Sequence, residues 1–235
     1  MASKTSDARY DRQREKLAAY FDGTAQKAWI DLTSDVEVGR IRATVRAGRE
    51  RMRGVLLDWL PADMWRTRLL DAGCGTGALS VDAACRGAEV VATDVAGGLV
   101  AIAERRAPGF LGHGRIDWRV GDMLDPDLGR FHHVVAMDSL IHYAEDDLVA
   151  TLAALGERCS GSILFTFAPH TRLLGAMHRV GKLFPRGQRS PAIVPIAESR
   201  LRRRLAALPG WRVGRSERVA SGFYTSQAME LVRRP

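Results

Sequence analysis

After Pro61, short apolar runs that stop at a glycine or an aspartate alternate with stretches of helical periodicity, and few folds accept that alternation. Arg68–Asp71, Glu89–Asp94, Ile116–Val120, Phe131–Met137 and Ser162–Phe167 read as strands. Ala78–Cys85, Gly97–Arg105 and Glu145–Arg158 read as the helices between them. Repeated βα units predict an α/β fold, a parallel sheet covered on both faces with right-handed crossovers. A helix over Glu198–Leu208 ends at Pro209-Gly210, and Trp211–Val219 and Ser226–Val232 then read as an antiparallel pair joined by a short Gly-containing link. Upstream the pattern is helical. Asp7–Tyr20 runs into the turn Asp22-Gly23, and Val36–Leu60 carries Val38, Ile41, Val45, Met52, Val55, Leu56 and Leu60 at helical spacing. The expected organisation is a helical arm and lid over residues 1–60 and one α/β domain over 61–235, with 169–198 an insertion the sheet does not require.

Hydrophobic content of 46% supplies a sizeable core, and no run approaches the roughly 18 apolar residues of a membrane span. Residues Met1–Lys16 lack the apolar core of a secretion signal, which predicts a cytoplasmic protein. The three cysteines, Cys74, Cys85 and Cys159, have neither disulfide-framework nor metal-knuckle spacing and read as small hydrophobes in a reducing compartment. His113, His132, His133, His170 and His178 lack ligand spacing, so no protein-bound metal is expected. A net charge of +8 asks for an acidic partner: RNA, an anionic membrane surface or an anionic small molecule. Charge alone does not choose among them.

The sharpest local signal is Leu69-Leu70-Asp71-Ala72-Gly73-Cys74-Gly75-Thr76-Gly77, a buried strand running through three alternate glycines into a helix. Glycines there let the backbone pass close to a ligand. The dinucleotide fingerprint is spaced G-x-G-x-x-G and seats a pyrophosphate at the helix N-terminus. This loop is G-x-G-x-G behind an acid, and Asp71 would repel pyrophosphate but suit an ammonium and a sulfonium. Asp94, Asp122 and Asp138 close the next three strands. Singly each reads as a cap or a loop acid. Together they fall at the carboxyl ends of the strands, where open α/β sheets bind ligands. Asp94 lies at the spacing of a ribose-binding acid, and Asp122 could accept from an adenine amino group with Met123 packed on the ring.

That combination resembles the Rossmann-like sheet of class I methyltransferases, mostly parallel with a C-terminal antiparallel strand. The resemblance implies S-adenosylmethionine as cofactor, with Asp71, Gly73, Cys74, Gly75 and Gly77 facing its methionine part, Asp94 and Val95 its ribose, Asp122 and Met123 its adenine, and Asp138 alongside. The run Asp138-Ser139-Leu140-Ile141-His142-Tyr143 is similar to the Asp-x-Leu-Ile-His-Tyr segment of the magnesium protoporphyrin IX O-methyltransferase family. Tyr20-Phe21-Asp22-Gly23-Thr24 with Trp29 looks like that family's N-terminal lid. Phe167-Ala168-Pro169-His170-Thr171 and Gly181-Lys182-Leu183-Phe184-Pro185 resemble its insertion, and Phe223-Tyr224 with Ser226 its C-terminal hairpin. One departure stands out: the family's lid tyrosine is replaced by Thr33, so Tyr20 or the Thr33 hydroxyl is left to take its place.

The resemblance implies methyl transfer to a propionate of Mg-protoporphyrin IX, with His142 holding the carboxylate and Tyr20, Trp29, Thr33 and Tyr143 at the substrate and lid. Magnesium then arrives only inside the substrate. The porphyrin-carrying subunit of magnesium chelatase is an expected partner, and nucleic acid is not. In the insertion, Leu173, Leu174, Met177, Val180, Leu183 and Phe184 share one helical face. Core packing, a porphyrin-pocket wall and peripheral contact with a photosynthetic membrane compete to explain it. Arg200, Arg202, Arg203 and Arg204 read as a solvated helix face rather than a nucleic-acid stripe. The rival functions are an RNA or other small-molecule methyltransferase, and a non-catalytic scaffold that passes porphyrin between enzymes.

Overall fold

The computed structural model describes residues 2–24, 26–33, 39–170 and 192–234, with backbone alone at 2–7, 24, 27 and 28. The expected insertion helix and the run Gly181–Pro185 lie outside the described residues. Helix α1 (Ala2–Ala19) enters a π-turn at Tyr20–Thr24, then α2 (Gln26–Leu32) and α3 (Arg40–Asp58) follow. The alternating units are β1 (Arg68–Ala72), α4 (Ala78–Cys85), β2 (Glu89–Asp94), α5 (Gly97–Arg106), β3 (Arg115–Val120), β4 (Phe131–Ala136), α6 (Glu145–Glu157) and β5 (Cys159–Phe167). Helix α7 (Glu198–Ala206) and strands β6 (Trp211–Ser221) and β7 (Tyr224–Arg233) complete the chain.

The seven strands lie in the order β3-β2-β1-β4-β5-β7-β6. Strands β1 to β5 are parallel, and β7 runs antiparallel between β5 and β6. The chain winds outward from β1 to β3 and then returns to β4 on the other side of β1. That reversal opens a crevice above the carboxyl ends of β1 and β4, where ligands of such sheets bind. Strand β1 is central and nearly all buried, whereas edge strand β3 alternates exposed and half-buried residues. Arg115–Glu89 and Arg119–Asp117 ion pairs charge that edge, which deters pairing with another chain.

One face of the sheet is packed by α1, α6 and α7 through Leu17, Leu148, Leu152, Leu155, Leu201 and Leu205. The other is packed by α3 and α4 through Met52, Leu56, Leu79 and Ala83. Met52 and Leu56 are fully buried, so α3 is a layer of the core. The C-terminal hairpin is tighter than the sequence predicts: both strands extend toward a two-residue link, Gly222-Phe223, with Gly222 at φ 55° packed against Thr44 of α3. Arg200 and Arg204 pair with Glu145, Arg204 also with Asp146, and Arg202 with Glu198. Most of that arginine run is therefore spent fastening α7 internally. Among the described residues, no helix is long and apolar enough to cross a membrane.

Candidate active site

A cavity of about 600 Å³ opens at this reversal of strand order. Its sheet side is built by the loop after β1, where Gly73, Gly75 and Gly77 have φ of 86°, 55° and 78°, a left-handed backbone that glycine adopts without strain. Gly73 also touches Ser139 of the loop after β4, leaving no room for a side chain. Gly77 supports the loop from outside the lining by packing on Trp118. The loop hangs from β2: Gly73 and Cys74 N–H groups donate to Thr93 O at 2.8 and 3.0 Å. Gly75 N donates to Asp94 Oδ2 and Ala96 N to Asp94 Oδ1, both at 2.9 Å.

Asp71 is 2% exposed and accepts a hydrogen bond from Ser80 Oγ at 2.6 Å. Burial pushes its carboxyl up from 3.8 to about 7, against the Ser80 hydrogen bond, and the nearby Asp94 charge adds to the rise. Burial also raises Asp94 and the Cys74 thiol. Two close, desolvated carboxyls gain most from a cation placed between the glycine loop and β2. Ser139 Oγ is buried at this wall without a hydrogen-bond partner among the described residues. A buried polar atom of this kind is available to a ligand that enters the cavity. Asp71, Gly73, Cys74, Gly75, Asp94, Val95, Met123 and Asp138 all line the cavity.

Two acids have fuller engagements than the sequence suggests. Asp122 is absent from the cavity lining, while its neighbours Gly121 and Met123 belong to it. Its carboxylate accepts from Tyr10 Oη at 2.5 Å, Arg14 Nη1 at 2.6 Å and Leu124 N at 2.9 Å, fastening α1 over the end of β3. This replaces the expected turn of Asp122 toward the cavity. Asp138 lines the cavity but is a hub at φ 53°. It pairs with Arg49 of α3 at 2.6 Å and accepts from Thr166 at 3.1 Å, Tyr224 at 3.1 Å and Ser226 at 3.2 Å. Gly48 lets the Tyr224 ring lie directly on α3.

The π-turn and α2 cover the opposite side. Trp29 covers Gly75, Phe21 meets Trp29 edge-on at 5.5 Å, and Phe21 lies 6.2 Å from the His142 ring. Asp22 accepts from Gly97 and Gly98 N–H groups at 3.1 and 2.8 Å, capping α5 and latching the π-turn to the end of β2. Tyr20 and Thr33 both line the cavity. Thr33 Oγ1 donates back to Trp29 O at 2.8 Å, so its hydroxyl hydrogen is held by its own helix. His142 is half-buried, its Nδ1 is 3.4 Å from Ala192 O, and Gln13 donates to its backbone carbonyl at 3.1 Å. Tyr143 is buried and stacks on Tyr10 at 5.5 Å. Burial raises both phenols. Arg49, which lines the cavity, and Tyr10 and Arg14, which fasten α1 to Asp122 beside it, are residues that motif reading passed over. The arginine spacing on α3 was the available signal for Arg49; nothing local marks the others.

The strand order, with its glycine loop and acids above β1 and β2, defines a class I S-adenosylmethionine-dependent methyltransferase. The crystal structure of magnesium protoporphyrin IX methyltransferase from Synechocystis PCC 6803 with bound SAH matches this fold at a TM-score of 0.82 and 26% identity, covering 94% of this chain and 99% of that one. Residues 136–233 match the family described as Magnesium-protoporphyrin IX methyltransferase C-terminus, and residues 69–159 the Methyltransferase domain. The magnesium-protoporphyrin O-methyltransferase of Rhodobacter capsulatus is 46% identical over 222 residues, 94% of this chain and 97% of that protein. The chloroplastic magnesium protoporphyrin IX methyltransferase of Arabidopsis thaliana is 30% identical over 226 residues, 93% of this chain and 71% of that protein. The chain belongs to the magnesium-protoporphyrin O-methyltransferase family.

Proposed function

We propose that this chain methylates one propionate of Mg-protoporphyrin IX with S-adenosylmethionine, yielding the monomethyl ester and S-adenosylhomocysteine. The observation that carries this reading is the end-to-end 46% identity to the Rhodobacter capsulatus enzyme. The cavity suits the cofactor: buried Asp71 and Asp94 favour a cation, the glycines admit close approach, and Ser139 Oγ offers a free polar atom. When bound, S-adenosylmethionine supplies a methyl on a sulfonium; a propionate oxygen bonds to that carbon in line as the carbon–sulfur bond breaks, its electron pair staying on sulfur.

A propionic acid resembles Glu, with pKa about 4.3, and is ionised at neutral pH, so the residues need not remove a proton. Their work is placement at a reacting distance of about 3–3.5 Å, in a site kept dry. Asp71 and the glycine loop fix the methionine part, and Asp94 the ribose. Gly121 and Met123 face the adenine. His142 donates a hydrogen bond to the propionate and holds its oxygen in line. Trp29 and Phe21 exclude water above them. Magnesium belongs to the substrate. The porphyrin-carrying subunit of magnesium chelatase and a membrane surface are the proposed sources of so apolar a substrate. The decisive experiment mixes protein, S-adenosylmethionine and Mg-protoporphyrin IX and looks by mass spectrometry for the gain of one methylene. Saturable porphyrin binding without that gain would mean a scaffold, and a protein that shows no methylene gain and no saturable porphyrin binding would overturn the reading.

A further inference from the structure

Helix α3 carries Arg42, Arg46, Arg49 and Arg53 at i, i+4, i+7 and i+11, one face of the helix, and all four line the cavity. Three are already committed. Arg49 pairs with Asp138 and lies over Trp29, its guanidinium carbon 4.6 Å from the ring centre. Arg53 pairs with Asp82 at 2.8 Å. Arg46 donates to the carbonyls of Leu32 and Asp31 at 3.0 and 2.8 Å, capping α2. Arg42 has no acceptor or carboxylate partner among the described residues. It stands in the first turn of α3, where the positive end of the helix dipole adds to its charge. Seven residues, about 10 Å of helical rise, separate it from Arg49 beside the glycine loop.

We propose that Arg42 holds the second, non-reacting propionate of the porphyrin, and so determines that the reaction stops at the monoester. This rests on the functional reading above. The substrate carries two carboxylates of the same chemistry, and only one can stand at the methyl. The other follows the macrocycle to the rim of the cavity, where the exposed Arg42 offers it a fixed charged partner. An uncommitted guanidinium fork matches a carboxylate in a bidentate way that a lysine does not. After the first transfer, the carboxylate left on the product is the one Arg42 holds. A second transfer needs the product reversed, with an ester against Arg42 and the charge there unpaired.

The test compares wild type, R42A and R42K on two porphyrins: Mg-protoporphyrin IX, and the analogue in which only the non-reacting propionate is an amide. Porphyrin binding is read by Soret titration, turnover by ester formation, and S-adenosylhomocysteine affinity by calorimetry. In R42A, porphyrin Kd and KM rise roughly tenfold, kcat stays within about twofold, and nucleoside affinity is unchanged, as for loss of one charge-assisted contact. Wild type loses a similar factor on the amide, while R42A binds both porphyrins equally. R42K falls between them, and diester appears with R42A on long incubation. Unchanged porphyrin affinity in R42A, or an equal loss on both porphyrins, overturns the inference. Wild type that binds porphyrin but forms no ester overturns the reaction reading instead, and the titrations still decide the role of Arg42.

Discussion

Asp71→Asn should make the free protein more stable and the cofactor bind worse, because the fold buries this carboxyl, beside Asp94, where its charge is disfavoured. The carboxyl moves from 3.8 to about 7 on folding. Its folded-state pKa is raised, so both states are protonated and nothing is lost below the unfolded value. As pH climbs from 3.8 to about 7 the unfolded chain ionises first, and stability falls. Three units at 1.36 kcal/mol each set an upper limit of about 4 kcal/mol, in full above pH 7. Asparagine keeps an acceptor for Ser80 and removes that charge, although its amide hydrogens reclaim part of the gain. A bound ammonium or sulfonium draws the pKa back down. Wild-type affinity for S-adenosylhomocysteine should therefore fall nearly tenfold per unit below pH 7, with about 0.9 proton released on binding at pH 6. Calorimetry in two buffers of different ionisation enthalpy, beside thermal melts at pH 5 and pH 8, reads each quantity. For Asp71→Asn the expected outcome is a higher melting temperature at pH 8, a smaller difference at pH 5, and affinity weakened by about a hundredfold at pH 8 with little slope below pH 7. Wild-type affinity flat from pH 8 to pH 6, or a mutant that melts lower at pH 8, would refute the reasoning.

His142→Ala should lower turnover by roughly 10- to 100-fold, the loss of one hydrogen bond to a charged group, and leave S-adenosylhomocysteine affinity within twofold; surviving turnover would remove His142 from the reaction. Asp138→Ala strands the half-buried Arg49 and unties Thr166, Tyr224 and Ser226, so urea unfolding should show a loss of about 3 kcal/mol, and a loss under 1 kcal/mol would contradict its role as a hub. Tyr10→Phe with Arg14→Ala frees α1 from Asp122, which should speed amide exchange across α1 while strands β1 and β4 stay protected; unchanged exchange in α1 would show that the latch holds nothing.

The chain order alone made the sheet legible, because its signals are local. A strand shows in alternation or an apolar run, a helix in its period, and a close turn in Gly73, Gly75 and Gly77, so the strands and the helices between them agree with the structure to within a few residues, whereas α2 had no counterpart in the sequence reading. The resemblance carried by Asp138–Tyr143 supplied the family. Several decisions required the folded chain. Strand β7 lies between β5 and β6, an order no periodicity encodes. Asp94 and Asp122 read alike as strand-end acids, yet one supports the glycine loop and the other is taken by Tyr10 and Arg14, more than a hundred residues away. The spacing of Arg42, Arg46, Arg49 and Arg53 puts them on one face, but only the packing of α3 across the crevice makes that face a cavity wall. A residue's type and spacing fix its direction relative to its own element. What it meets there depends on surfaces brought together from distant parts of the chain.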